Sequence, residues 1–315
     1  MKLVKVTLLS ALAQASDLPP SFKPRLLLDG CNLDLPSGQA IGKVSNVSIT
    51  SDGVERSFLV FVPPGYRKDK PTSAIFSYHG GSRTAEDQLA LDQLTSSVYN
   101  PGSFIIYPQG INNTWQGVPG IKTDDVAFTA NILDYVQSHY CIDSSRIFAT
   151  GKSDGGGFSN VLACDAGMSL RFAAFAPVSG AFYIDTLPCN GTTVPIPCDA
   201  QRSDIPFVEF HGGNDTTIRY DGGERKKECL PSIPHFIQAW ALRDNLGVTS
   251  VATSIAPNTT RFSFGDGLVE QYYESDIGHD WPSTVPNADN KVAGRHVASY
   301  NATPIIVDFF GRHSL

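Results

Sequence analysis

Ser153 sits in Gly151-Lys152-Ser153-Asp154-Gly155, a G-x-S-x-G run. The apolar stretch 146–150 before it reads as a short strand, and Gly156-Gly157 after it opens a helix. That context makes the run a candidate nucleophile elbow. Glycines on both sides let strand and helix approach closely around a strained serine. A serine hydroxyl attacks poorly until a base takes its proton, and the base needs an orienting partner. The chain therefore has to supply a histidine and an acid after Ser153, in that reaction's geometry.

Five histidines follow Ser153. His235 falls inside a predicted helix, His313 lies at the terminus, and His296 lies in a polar stretch without strand context. His211 ends a strand, where the acid is needed. His279, in Gly278-His279-Asp280-Trp281-Pro282 just after a predicted strand, is the expected base. The acid should follow the apolar run 206–210. Asp215 is expected there, with Asp221 as its rival, whereas Asp204 precedes the strand. Two backbone N–H groups must hold the oxyanion. Asp154, next to the serine, should give one. Gly81, in His79-Gly80-Gly81 after another strand, should give the other. His79 either touches substrate or braces that loop. Trp115 and Trp281 either wall a pocket against a ring or pack internally. Trp240 reads as core. No carboxylate or cysteine cluster accompanies the histidines, so neither metal nor cofactor is expected.

The elements that must position these groups alternate. Strands are expected at 47–50 and 57–62 as a hairpin around Ser51-Asp52-Gly53, then at 73–78, 103–107, 146–150, 172–178, 206–210 and 268–274. Helices are expected at 124–140, after the elbow, at 233–245 and around 304–310. Short buried strands alternating with helices imply a mostly parallel sheet covered on both faces, with functional groups at the strands' carboxyl ends. With the chain order Ser, Asp, His, the expected fold class is α/β, of the α/β-hydrolase type.

The 315 residues, 41% hydrophobic and 17% charged, suit one large domain. The formal net charge of −7 gives no reason to expect nucleic acid or an anionic membrane as partner. Residues 1–15 read as a secretory signal: Lys2 and Lys5, an apolar core, then Ala13-Gln14-Ala15. Residues 16–315 then form a single catalytic domain of a secreted, extracellular protein. Six cysteines fit an oxidising destination. The pairing expected from sequence is Cys189–Cys198 across a short Pro-rich loop, Cys141–Cys164 at the sheet end opposite the serine, and Cys31–Cys229 by remainder. N-x-S/T acceptors stand at Asn46, Asn112, Asn190, Asn258 and Asn301, and also at Asn214, which adjoins the expected acid.

Taken together, several motifs resemble the secreted fungal feruloyl esterases of carbohydrate esterase family 1, in the branch related to polyhydroxybutyrate depolymerases. They are Gly30-Cys31, Tyr107-Pro108-Gln109-Gly110, the elbow through Gly157, Ala176-Pro177-Val178-Ser179-Gly180, Cys229-Leu230-Pro231-Ser232-Ile233-Pro234-His235-Phe236, and Gly278-His279-Asp280-Trp281-Pro282-Ser283-Thr284. The resemblance covers nearly all of the expected mature chain. It implies hydrolysis of feruloyl or related hydroxycinnamoyl esters of plant cell-wall arabinoxylan, and it carries Ser153, Asp215 and His279 over as the triad. The implied partner is a feruloylated polysaccharide or oligosaccharide, with no required protein partner. Asp154 departs from the Asn or Met expected in many relatives. The same machinery would serve an acetylxylan esterase or a polyester depolymerase. From another class, an inactive carbohydrate-binding protein could keep this fold.

Overall fold

The computed structural model describes residues 30–315, so the expected signal at 1–15 lies outside the described residues. The chain opens with a hairpin of β1 (Val44–Ser51) and β2 (Val54–Phe61). Asp52 and Gly53 at its tip have φ of 49° and 72°, the positive values that a two-residue primed turn requires. Then follow β3 (Thr72–Tyr78), α1 (Ala85–Asp92), β4 (Phe104–Pro108), α2 (Asp125–His139), β5 (Ile142–Lys152) and α3 (Asp154–Cys164). After them come β6 (Ala174–Val178), β7 (Phe207–Gly212), β8 (Gly223–Arg225), β9 (Glu228–Leu230) and α4 (Ile233–Arg243). The chain closes with β10 (Val251–Ala256), β11 (Thr259–Phe264), β12 (Val269–Glu274) and α5 (Ala302–Gly311).

Among the described residues ten strands form one sheet in the order β1-β2-β4-β3-β5-β6-β7-β12-β11-β10, and β8 pairs with β9 separately. The strands from β4 to β12 in that order are parallel. Antiparallel pairs, β1–β2 and β10–β11, extend the two edges. The central strands carry unbroken apolar runs such as Phe104-Ile105-Ile106-Tyr107, because helices cover both faces. On one face Phe76 and Ala149 pack with Phe128, Ile132, Phe158, Phe236 and Trp240 of α2, α3 and α4. On the other, Ile75, Ile105 and Phe210 pack with Leu91 of α1 and Ile306 and Phe309 of α5. This is the α/β-hydrolase architecture. The mostly parallel sheet read from the alternation is present, with the expected elements displaced by a few residues at their ends.

The disulfides correct the expected pairing. They join Cys31 to Cys141, Cys164 to Cys198, and Cys189 to Cys229. Cys31–Cys229, Cys141–Cys164 and Cys189–Cys198 do not form. The reason is topological. Gly30 docks on the end of α2 by donating its N–H to Gln137 O (2.9 Å), which delivers Cys31 to the start of β5. The Asp199 N–H bonds Cys164 O (3.0 Å), so the loop before β7 brings Cys198, not Cys141, to the end of α3. A backbone bridge between Ile184 and Cys229 sets the adjoining loop, with its Cys189, against β9.

Candidate active site

The site forms where β3, β5, β7 and β12 end. Ser153 links β5 to α3 with φ 57° and ψ −118°, a left-handed conformation unusual for a side chain-bearing residue. The neighbouring glycines make the turn possible. A Cβ on Gly151 would lie 2.6 Å from the carbonyl of Gly155, and one on Gly155 would strike the carbonyls of Tyr78 and His79. Backbone bonds fix the serine: its N–H donates to Val178 O (3.0 Å), and its carbonyl accepts from Ala181 N (3.0 Å) and Gly157 N (2.9 Å).

Asp215 and His279 are brought together from loops 64 residues apart. His279 Nδ1 donates to Asp215 Oδ2 at 2.6 Å. The other carboxylate oxygen, Oδ1, accepts from the N–H groups of Thr217 (2.7 Å) and Ile218 (2.8 Å). Burial opposes the charge on Asp215, but hydrogen bonds from His211 and His279 hold its carboxyl well below the ordinary carboxylate range. For His279, burial and then nearby Lys152 outweigh Asp215 and push the imidazole down to about 4. His279 and Ser153 line one cleft of about 440 Å³.

Gly81 and Asp154 line the same cleft. Among the described residues, neither of their N–H groups is spent on an acceptor. The Asp154 carboxyl packs so closely on Gly81 that a Cβ there would collide with it. Burial raises the Asp154 carboxyl, while Lys226 and Arg225 pull it back down. Asp154 N also opens α3, so the helix dipole adds to its attraction for negative charge.

Of the two roles left open for His79, Trp115 and Trp281, the structure favours bracing and internal packing over substrate contact. His79 is fully buried. Its Nε2 accepts from Gly110 N (3.0 Å), which leaves Nδ1 to donate to Gly80 O (2.8 Å), so it braces the Gly80–Gly81 loop. Trp115 is buried behind that loop and donates Nε1–H to His79 O (2.8 Å). Trp281 is buried against α5 and donates Nε1–H to Thr303 Oγ1 (3.0 Å). None of the three lines the cleft. The two indoles find more burial beneath the loops than above them, and each N–H has an internal acceptor. Trp240 packs in the core, as expected.

Residues that sequence reasoning passed over support the site. Lys152 is almost fully buried, with Nζ 3.1 Å from both His279 O and Asp289 Oδ2, and so pins the histidine loop to the elbow. Ser179 Oγ donates to Asp280 O (3.0 Å) from the end of β6. His211, which the sequence reading set aside as the base, places Nε2 3.4 Å from Asp215 Oδ2. The β8–β9 hairpin brings Arg225 and Lys226 to the cleft, α1 brings Gln88 and Leu91, and the turn before α1 brings Arg83. The only sequence signal for Lys152 was a charged residue at the end of an apolar strand. Of the sequons, Asn46, Asn112, Asn190 and Asn258 are exposed, whereas Asn301 is half-buried and caps α5. Among the described residues no group of three or more His, Cys, Asp or Glu is arranged to hold a metal, and no helix is long and apolar enough to cross a membrane.

No protein-family model matches the chain. It is 30% identical over 221 residues to a probable feruloyl esterase C of Aspergillus clavatus, covering 69% of this chain and 72% of that protein. The chain belongs to the feruloyl esterase family. A second family member, feruloyl esterase D of Neurospora crassa, is 28% identical over 238 residues, 70% of each chain. A probable feruloyl esterase C of Aspergillus niger is 30% identical over 173 residues, and there the match spans only 58% of the relative's length. Among solved structures, an acetyl xylan esterase from Aspergillus awamori superposes with a TM-score of 0.62 at 17% identity, over 85% of this chain and 99% of that one. A thermostable esterase superposes with a TM-score of 0.56 at 16% identity, over 86% of this chain and 63% of that one. At those identities the structures share the fold.

Proposed function

We propose that the chain is a serine esterase releasing feruloyl or related hydroxycinnamoyl groups from plant cell-wall arabinoxylan. The observation that carries this is the 2.6 Å Asp215–His279 pair in one cleft with Ser153 on its left-handed turn. His279, oriented by Asp215, takes the Ser153 proton as Oγ attacks the ester carbonyl. The N–H groups of Asp154 and Gly81 hold the tetrahedral oxyanion. His279 then gives its proton to the departing sugar hydroxyl. Water, deprotonated by His279, hydrolyses the acyl-enzyme by the reverse route. The chemistry needs no cofactor.

The family supports the feruloyl choice. So does the cleft: about 440 Å³ falls in the range of pockets that hold drug-sized molecules and exceeds what an acetyl group fills. Three disulfides support export to an oxidising compartment. The polysaccharide is the expected partner, acted on by a single catalytic domain.

The test is a hydrolysis panel of methyl ferulate, p-coumarate, caffeate and sinapate with an aryl acetate, and Ser153→Ala as the blank. The expected result is preference for hydroxycinnamates, and a fall of several orders of magnitude in the variant with its fold intact. Activity on acetate alone would move the enzyme to the acetyl esterases. A fluorophosphonate that fails to label Ser153 would point to an inactive binding protein.

A further inference from the structure

His211 is fully buried at the end of β7, and both of its ring nitrogens face oxygens. Nδ1 lies 2.7 Å from Glu209 Oε1. Nε2 lies 2.7 Å from Ile218 O and 3.4 Å from Asp215 Oδ2. A neutral imidazole carries one N–H, so one nitrogen would then present its lone pair to an oxygen. Two arrangements avoid that clash. Either Glu209 is protonated and donates to Nδ1, or the ring is an imidazolium that donates on both sides. The Asp215 carboxylate, 3.4 Å from Nε2, decides between them, because it attracts a cation and gains nothing from a neutral ring.

We propose that His211 is a positioning residue: a buried imidazolium, balanced by Glu209, that holds Asp215 ionised and aimed at His279. The proposal rests on the esterase reading for its consequence, though not for the charge on His211. The groups facing this centre are Glu209 on β7, Asp215 in the following loop, Tyr220 with its ring 6.0 Å away, and Tyr273 beside His211 on β12. Tyr300 lies within reach of the charges on Glu274 and Glu209, and beyond Asp215 stands His279 with Lys152. The charges Glu209⁻, His211⁺ and Asp215⁻ alternate, which reduces the cost of burying them together. Burial works against the charge on His211, yet Glu209 and Asp215 more than offset it and raise the ring to about 10. Burial raises the Glu209 carboxyl as well, with His211 pulling against it. The arrangement also reaches His279, since the charge on His211 helps to keep the base neutral.

The test has two readouts. Nitrogen-15 NMR of the histidines in the wild-type protein, from pH 5 to 8, reads the charge on His211 without any substrate. The expected result is two protonated ring nitrogens throughout, and a neutral ring or a titration near 6.5 overturns the proposal. The second readout is the pH dependence of fluorophosphonate labelling of Ser153 in Glu209→Gln and His211→Gln. Losing the cation should move the acid limb upward by about half a unit or more and slow labelling about tenfold at its plateau. An acid limb left where it is in the wild type overturns the positioning role. Should His211→Gln fail to fold, Glu209→Gln and the wild-type spectra still decide. If wild-type Ser153 does not label, the esterase reading fails, while the spectra still judge the charge.

Discussion

In the proposed mechanism the residue that sets the working pH of this site is His279. Burial and Lys152 disfavour its charged form, and Asp215 opposes them less strongly, so the imidazole stays neutral down to about 4. A general base works only when unprotonated. Activity should therefore be full above that value and fall as pH drops through about 4. kcat/KM for methyl ferulate between pH 3 and 8 measures it, and an acid limb near the ordinary histidine value of about 6.5 would contradict the environment described. Lys152→Gln keeps an amide donor for His279 O but removes the charge, so its limb should move to higher pH. The meeting of Ser153, Asp215 and His279 at one end of the sheet was legible because each stands in a short loop after an apolar strand. The roles of His79, Trp115 and Trp281 were not legible. Proximity to a strand's carboxyl end does not say whether a side chain points above the loop or beneath it.

Elements were legible where burial writes a continuous apolar run, as in β3, β4 and β6. They were hidden where burial is polar or partial. Helix α1 buries Gln88 and Asp92, whose side chains bond Ser77 Oγ (3.1 and 2.6 Å), so it has no apolar stripe to read. Strand β10 is almost wholly exposed, and β8 and β9 are three residues each. Helix α2 shows how a polar contact fixes an element that the apolar pattern only outlines. Its first residue, Asp125, is fully buried and meets Arg56 of β2 at 2.7 Å, while the Arg56 guanidinium lies 3.7 Å over the Phe128 ring. Asp125 also accepts from Gln116 N (2.7 Å) and Thr123 Oγ1 (2.8 Å). Asp125→Ala strands a buried guanidinium, which costs about 3–5 kcal/mol. The denaturation midpoint should fall accordingly with its slope unchanged. A loss under about 1 kcal/mol would mean that water reaches Arg56 once the carboxylate is gone.

At the scale of the whole molecule, the alternation of strands and helices was enough to read the architecture, but the disulfides depend on which loops lie side by side. Cys31–Cys141 and Cys164–Cys198 tie the sheet end away from Ser153, where β5 begins and α3 finishes. Cys189–Cys229 is different: it anchors β9, and with it the hairpin whose Arg225 and Lys226 line the cleft. The bonds span 110, 34 and 40 residues respectively. Loop-closure entropy assigns about 5 kcal/mol to the first and about 4 kcal/mol to each of the others. Stability and function should separate accordingly. Replacing Cys31 and Cys141 together by serine should lower the thermal midpoint most and leave kcat and KM at 25 °C unchanged. Replacing Cys189 and Cys229 should cost less stability yet raise KM, because the hairpin wall loosens while the Asp215–His279 pair stays in place. Calorimetry alongside steady-state kinetics on both double variants makes the comparison. An unchanged KM in the second would show that β8–β9 holds its place over the cleft through its backbone pairing alone.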